Sequence, residues 1–196
     1  MAEQLSEDIT VWLKKLQQGE TESLNQVMEL VYLEMRQLAR RQMRSERQDH
    51  TLCTTGLVNE AYLKFTQQAD MSFSSRAEFY AFASLCMRHI LVDYARKNRS
   101  DKRGGDNKPV SLETNIESVD GMNQLQIQEI CEIDDALQRL EKIFPRGAQV
   151  IQYRLFGGLN LAETAEIIDV SSKTVQRDWT SAIAWLRKEV AQSTSL

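Results

Sequence analysis

The sequence predicts an all-α protein of two helical domains joined by a flexible linker, the C-terminal domain carrying a helix-turn-helix. Three observations lead there. The 196 residues include only two prolines and eight glycines, while helix-favouring Leu, Ala, Gln, Glu and Arg abound. Apolar residues recur at steps of three and four along most of the chain. One polar stretch, residues 106–124, holds a proline and several Ser, Asn and Asp and has no helical period. It separates an N-terminal domain, residues 1–105, from a C-terminal domain, residues 125–196, each large enough for its own core.

In the first part, Ile9, Leu13 and Leu16, then Leu24, Val27, Leu30, Val31, Met35 and Leu38, mark two amphipathic helices broken near Gly19. The second ends in Arg36, Arg40, Arg44 and Arg47, spaced to share one helical face. A helix from about Thr55 to Gln67 places Leu57, Ala61 and Phe65 on one side, with Thr51, Thr54 and Thr55 as potential caps. After a polar loop, Ser75 is positioned to cap a helix running from Ala77 through Phe79, Phe82, Leu85, Ile90 and Tyr94 into a basic block, Arg96 to Arg103. Phe73, in the loop, is the aromatic best placed for base stacking; Phe79 and Phe82, on a repeating face, read as core.

Composition excludes several classes. The net charge of −4 argues against nucleic-acid binding only as an average, because it conceals blocks of opposite sign. The three cysteines, Cys53, Cys86 and Cys131, are far apart, form no CxxC pair, and read as reduced thiols. Acidic residues precede any apolar run, and no stretch is long enough to span a bilayer, so a soluble, cytoplasmic chain without a membrane partner is expected. His89 and Asp93 lie one helical turn apart, but no third metal ligand, phosphate loop or paired nucleophile and base is evident. No catalysis, metal or cofactor is expected.

The C-terminal segment LAETAEIIDVSSKTVQRDW has the spacing of a helix-turn-helix. Small Ala165 lets the helices approach, Asp169 takes the left-handed turn position more usually given to Gly, and Val170 and Val175 fill the space between. Ser171 or Ser172 caps the second helix. Its first turns present Ser172, Lys173, Thr174, Gln176, Arg177 and Thr180 as candidate base and phosphate contacts in a major groove.

Taken with the basic block and the linker, three segments carry a resemblance across nearly the whole chain: GLVNEAYLKF, AEFYAFASLCMRHILVDYARKNRSDKRGG and RLFGGLNLAETAEIIDVSSKTVQRDWTSAIAWLRKE. They resemble the extracytoplasmic-function (ECF) sigma factors of bacterial RNA polymerase, in particular a subgroup associated with serine/threonine kinases. The resemblance implies an alternative sigma factor whose partners are core polymerase, through the β′ clamp and β flap, and promoter DNA. Leu57, Asn59, Glu60, Leu63 and Lys64 fall where the family contacts the clamp. Arg88, His89, Asp93, Arg96, Lys97 and Arg99 fall where it contacts the downstream element.

Members of the family usually carry several acids just before the clamp helix, whereas this chain has Cys53-Thr54-Thr55-Gly56. Clamp binding by the unmodified chain is therefore expected to be weak. A phosphate would restore negative charge at the favourable end of the helix dipole, which makes Thr51, Thr54 and Thr55 candidate acceptors and a serine/threonine kinase a candidate partner. Thr51 ranks first, with Arg36, Arg40, Arg44 and Arg47 as candidate phosphate-binding groups. The competing reading is a non-sigma regulator that binds duplex DNA without polymerase. The acidic helix around Glu129 to Asp135 reads as a solvated face, the alternative being a shield over the basic N-terminal domain.

Overall fold

The computed structural model describes residues 11–13, 15, 22–43, 51–67, 73–101 and 124–193. The expected break at Gly19, Arg44 and Arg47, and residues 106–123 of the expected linker, lie outside the described residues. Among the described residues there is no strand, and the all-α class holds. No described helix is long and apolar enough to cross a membrane.

Helix α1 (Glu22–Met43) buries Leu24, Val27, Val31, Met35 and Leu38, the same three- and four-residue stripe that is visible in the sequence. Helix α2 (Thr51–Thr66) runs back along it. Tyr62, near the end of α2, donates a 2.5 Å hydrogen bond to Asn25, near the start of α1, which fixes the antiparallel sense. Helix α2 begins about a turn before the expected Thr55. Thr54 continues the buried stripe of Leu57, Ala61 and Phe65, so packing extends the helix past the threonines expected to cap it.

Helix α3 (Arg76–Asp101) is the axis of the molecule and touches both helices of this hairpin. Ser75 starts it as expected, its hydroxyl accepting from the Glu78 amide at 3.2 Å. Phe65, Phe73, Phe79 and Phe82 pack at its base with ring centroids 5.3–6.0 Å apart, edge-on or tilted as ring quadrupoles favour.

The C-terminal elements are α4 (Gln124–Ile143), α5 (Pro145–Ile151), a π-helical turn over Gln152–Phe156, α6 (Leu161–Ile167) and α7 (Ser172–Ser193). Pro145 opens α5, where a missing amide proton costs nothing. Ala136, Leu137, Leu140, Ala148, Ile151, Ala182 and Leu186 form the core of α4, α5 and α7. A smaller cluster, Val150, Ala165 and Val175, sits between α6 and α7.

Helix α4 also lies against α3, and the π-helical turn touches both α3 and α1. Leu159 is buried in the first core, with Ile127, Ile130 and Tyr153 packed on it. Two glycines permit this approach. A Cβ on Gly157 would lie 3.2 Å from Ser84 Oγ and 2.5 Å from the Tyr153 carbonyl, and one on Gly158 would lie 1.9 Å from Arg41 Nη1. Gly158 also has φ of 70°, in the left-handed region.

Asn160 caps α6 with a complete capping box: it accepts from the amides of Ala162 and Glu163, and Glu163 accepts from its own amide. Replacing Asn160 with Ala removes the caps to α6 without touching either core. The expected cost is about 1 kcal/mol, read as a lower urea midpoint at unchanged slope.

Candidate nucleic-acid interface

The turn between α6 and α7 is built as the spacing predicts. Asp169 has φ of 51°, the left-handed conformation that short polar residues tolerate. Ser171 accepts from the Thr174 amide at 3.1 Å and is the cap of α7. Ala165 and Val175 are buried between the helices, with Ile168 and Val170 beside them. Because Val175, Asp178 and Ala182 turn inward, Ser172, Lys173, Gln176, Arg177 and Thr180 share the outward face, and Thr174 is half-buried at its edge. Arg146 holds the buried Asp178 carboxylate at 2.5 Å and so braces α7 from below.

On α3, His89, Asp93, Arg96, Lys97 and Arg99 lie on the exposed side. Asp93 pairs with Lys64 of α2 at 3.9 Å. Arg88 does not join them. Its side chain is 11 % exposed and is bound to Asp134 of α4, which is also held by Arg96 at 2.9 Å.

Phe73 must be corrected as a base-stacking contact. It is 7 % exposed and packed edge-on against Phe79, because the loop folds back into the aromatic cluster. Two of the residues expected at the clamp also turn inward: Leu57 and Glu60 are buried, on the face that α2 packs into the core, and are withdrawn as surface contacts. Asn59 is exposed, Leu63 is 45 % exposed although apolar, and Lys64 is half-buried.

Among the threonines, Thr54 is 2 % exposed and is withdrawn as an accessible phosphate acceptor. Thr55 is half-buried, and Thr51 is the first residue of α2. The first turn of α2 contains no acid. At the same end of the hairpin, Arg40 is exposed and Arg36 is half-buried over the Tyr32 ring at 6.0 Å.

Sequence reasoning missed Asp134. Its acidic neighbours suggested a solvated helix, but Asp134 is 4 % exposed, which overturns that reading at this position. The spacing Ile127, Cys131, Asp134 and Leu137 places it on the apolar stripe of α4, and that was the available signal.

A family model described as ECF sigma factor matches residues 6–192 of the chain. No curated protein matches it.

Two groups on these helices are electrically quiet. Burial pushes the Cys86 thiol up to about 11, against the opposing pull of Lys64, so it is not a nucleophile at neutral pH. Desolvation, then the Arg88 guanidinium, push the His89 imidazole below its ordinary 6.5. His89 is therefore neutral at pH 7 and adds no charge to the basic face. Since the unfolded chain takes up this proton first, stability falls as pH drops from 6.5 toward the folded value. An NMR titration should place the His89 midpoint below 6.5 and move it upward in Arg88→Gln.

Proposed function

The chain belongs to the ECF sigma factor family, alternative sigma factors for transcription initiation, and from that premise we propose how its surfaces divide the work. Exposed Asn59, Leu63 and Lys64 of α2 meet the β′ clamp of RNA polymerase. Lys97 and Arg99 of α3, together with Arg88 and Arg96 once these are free, hold the melted downstream element through its phosphates, while His89 and Asp93 meet its base edges. Ser172, Lys173, Thr174, Gln176, Arg177 and Thr180 of α7 read the upstream element in the major groove, beside the β flap. The family match over residues 6–192 carries this reading, and the outward polar face of α7 supports it.

Activation is by phosphorylation of Thr51, with a serine/threonine kinase as partner. The γ-phosphoryl group of ATP passes to the threonine hydroxyl, ADP leaves, and the kinase takes up the hydroxyl proton. The absence of acids in the first turn of α2 and the burial of Glu60 support a shortage of negative charge at the clamp surface. Thr51 opens the helix, where the backbone dipole favours an anion. Arg40 is exposed at that end, and Arg36 Nε has no hydrogen-bond partner among the described residues. These two guanidinium groups suit a phosphate as ligand. Thr55 is the secondary acceptor.

With core polymerase supplied, the chain should initiate from its own promoters and bind duplex DNA weakly by itself; firm duplex binding without core would overturn the sigma assignment of these surfaces. Arg177→Ala should lower promoter-specific transcription about tenfold, the loss of one base contact. Kinase-treated protein should bind a clamp fragment about tenfold more tightly than untreated protein, the worth of one charge-assisted hydrogen bond. Thr51→Ala should abolish that gain. Equal affinities before and after modification would remove phosphorylation from the mechanism.

A further inference from the structure

We infer that Asp134 is an intramolecular competitor of DNA: its carboxylate occupies Arg88 and Arg96 and holds the C-terminal helices closed over α3, so that promoter strands and α4 bind in alternation. The inference rests on the proposed reading of α3 as a DNA-binding face. Asp134 is 4 % exposed and accepts from both arginines, while Asp135 adds a second contact to Arg96 at 3.6 Å. A carboxylate and a phosphate oxygen present the same chemistry to a guanidinium, an anionic acceptor that its planar fork can grip. Both cannot take the same donors at once.

The surrounding contacts show that α4 is seated rather than grazing. Cys131, one turn before Asp134, is buried, with Arg99 of α3 as its neighbour. The Phe156 ring stacks 5.8 Å from the Arg88 guanidinium on the other side. Gly157 and Gly158 lie close against Ser84 and Arg41, where a Cβ would stand 3.2 Å from Ser84 Oγ and would push the Arg41 guanidinium aside. Two arginines assigned to the downstream element, Arg88 and Arg96, are thus engaged by α4. The acid sits where removing it costs most, because deleting one partner of a buried pair leaves the other charge unsatisfied. Asp134→Asn should therefore destabilise the closed arrangement, in which Leu159, Ile127, Ile130 and Tyr153 also pack with the first core, while leaving the core of α4, α5 and α7 intact.

Cys131 reports closure, since its thiol is covered only while α4 stays on α3. In the full chain, alkylation at Cys131, followed by mass spectrometry of its peptide, should accelerate about tenfold in Asp134→Asn with helicity by circular dichroism unchanged. The same substitution should tighten binding of a fluorescent single-stranded DNA oligonucleotide by a similar factor. In the unmutated protein, saturating oligonucleotide should itself accelerate Cys131 alkylation, because competition is reciprocal. This arm needs no variant to fold. Alkylation that is unchanged by saturating oligonucleotide would overturn the inference, as would faster alkylation in Asp134→Asn without tighter DNA binding. Failure of the underlying reading has its own signature: Arg88→Gln with Arg96→Gln, in the Asp134→Asn background, would bind the oligonucleotide as well as Asp134→Asn alone.

Discussion

A carboxylate removed from water needs partners, and Asp134 has one that is nearly as buried as itself. The Arg88–Asp134 pair joins α3 to α4 where solvent is largely excluded. Breaking such a pair by losing one member typically costs about 3–5 kcal/mol, far more than an exposed ion pair is worth. The placement of the C-terminal helices depends on this constraint. With Asp134 held, Cys131 is covered, Phe156 stacks on Arg88, and the two glycines meet α3 and α1.

The two halves are internally coherent by other means. The first relies on apolar stripes and a knot of four phenylalanines at the base of α3. The second relies on the core of α4, α5 and α7, with Asn160, Asp169 and Ser171 setting the α6–α7 turn. Between them the contact mixes charge with small residues and with Leu159, Ile127, Ile130 and Tyr153 on the first core, and its charged part yields to competing ions far more readily than packed apolar contacts do. Recognition by the face of α7 needs no rearrangement of that turn, while the α3 surface is partly spoken for. The two surfaces proposed to meet DNA are thus in different states in the same molecule.

Charge distribution explains how a chain with a net charge of −4 fits a DNA-binding role. Acids are not spread evenly over the surface: Asp134 and Asp178 are turned inward onto arginines, and Asp93 is paired with Lys64. The bare start of α2 is the converse case, a first turn that contains no acid. Net charge describes neither.

Read alone, the sequence determined whatever follows from neighbours along the chain. The stripe of α1, the Ser75 cap, the left-handed Asp169 and the outward set on α7 depend on helical period and turn chemistry, which are local. The motifs also carried the family. What needed the tertiary structure was which side of a helix meets a distant one. Phe73 lies in a loop by its neighbours but in a core by its partners, and Leu57 and Glu60 sit on a clamp-like helix yet face inward. Asp134 looked like one acid in a solvated row. Only the approach of Arg88, 46 residues away, made burying it possible, because the cost of desolvating a charge is set by what is brought beside it and not by what precedes it in the chain.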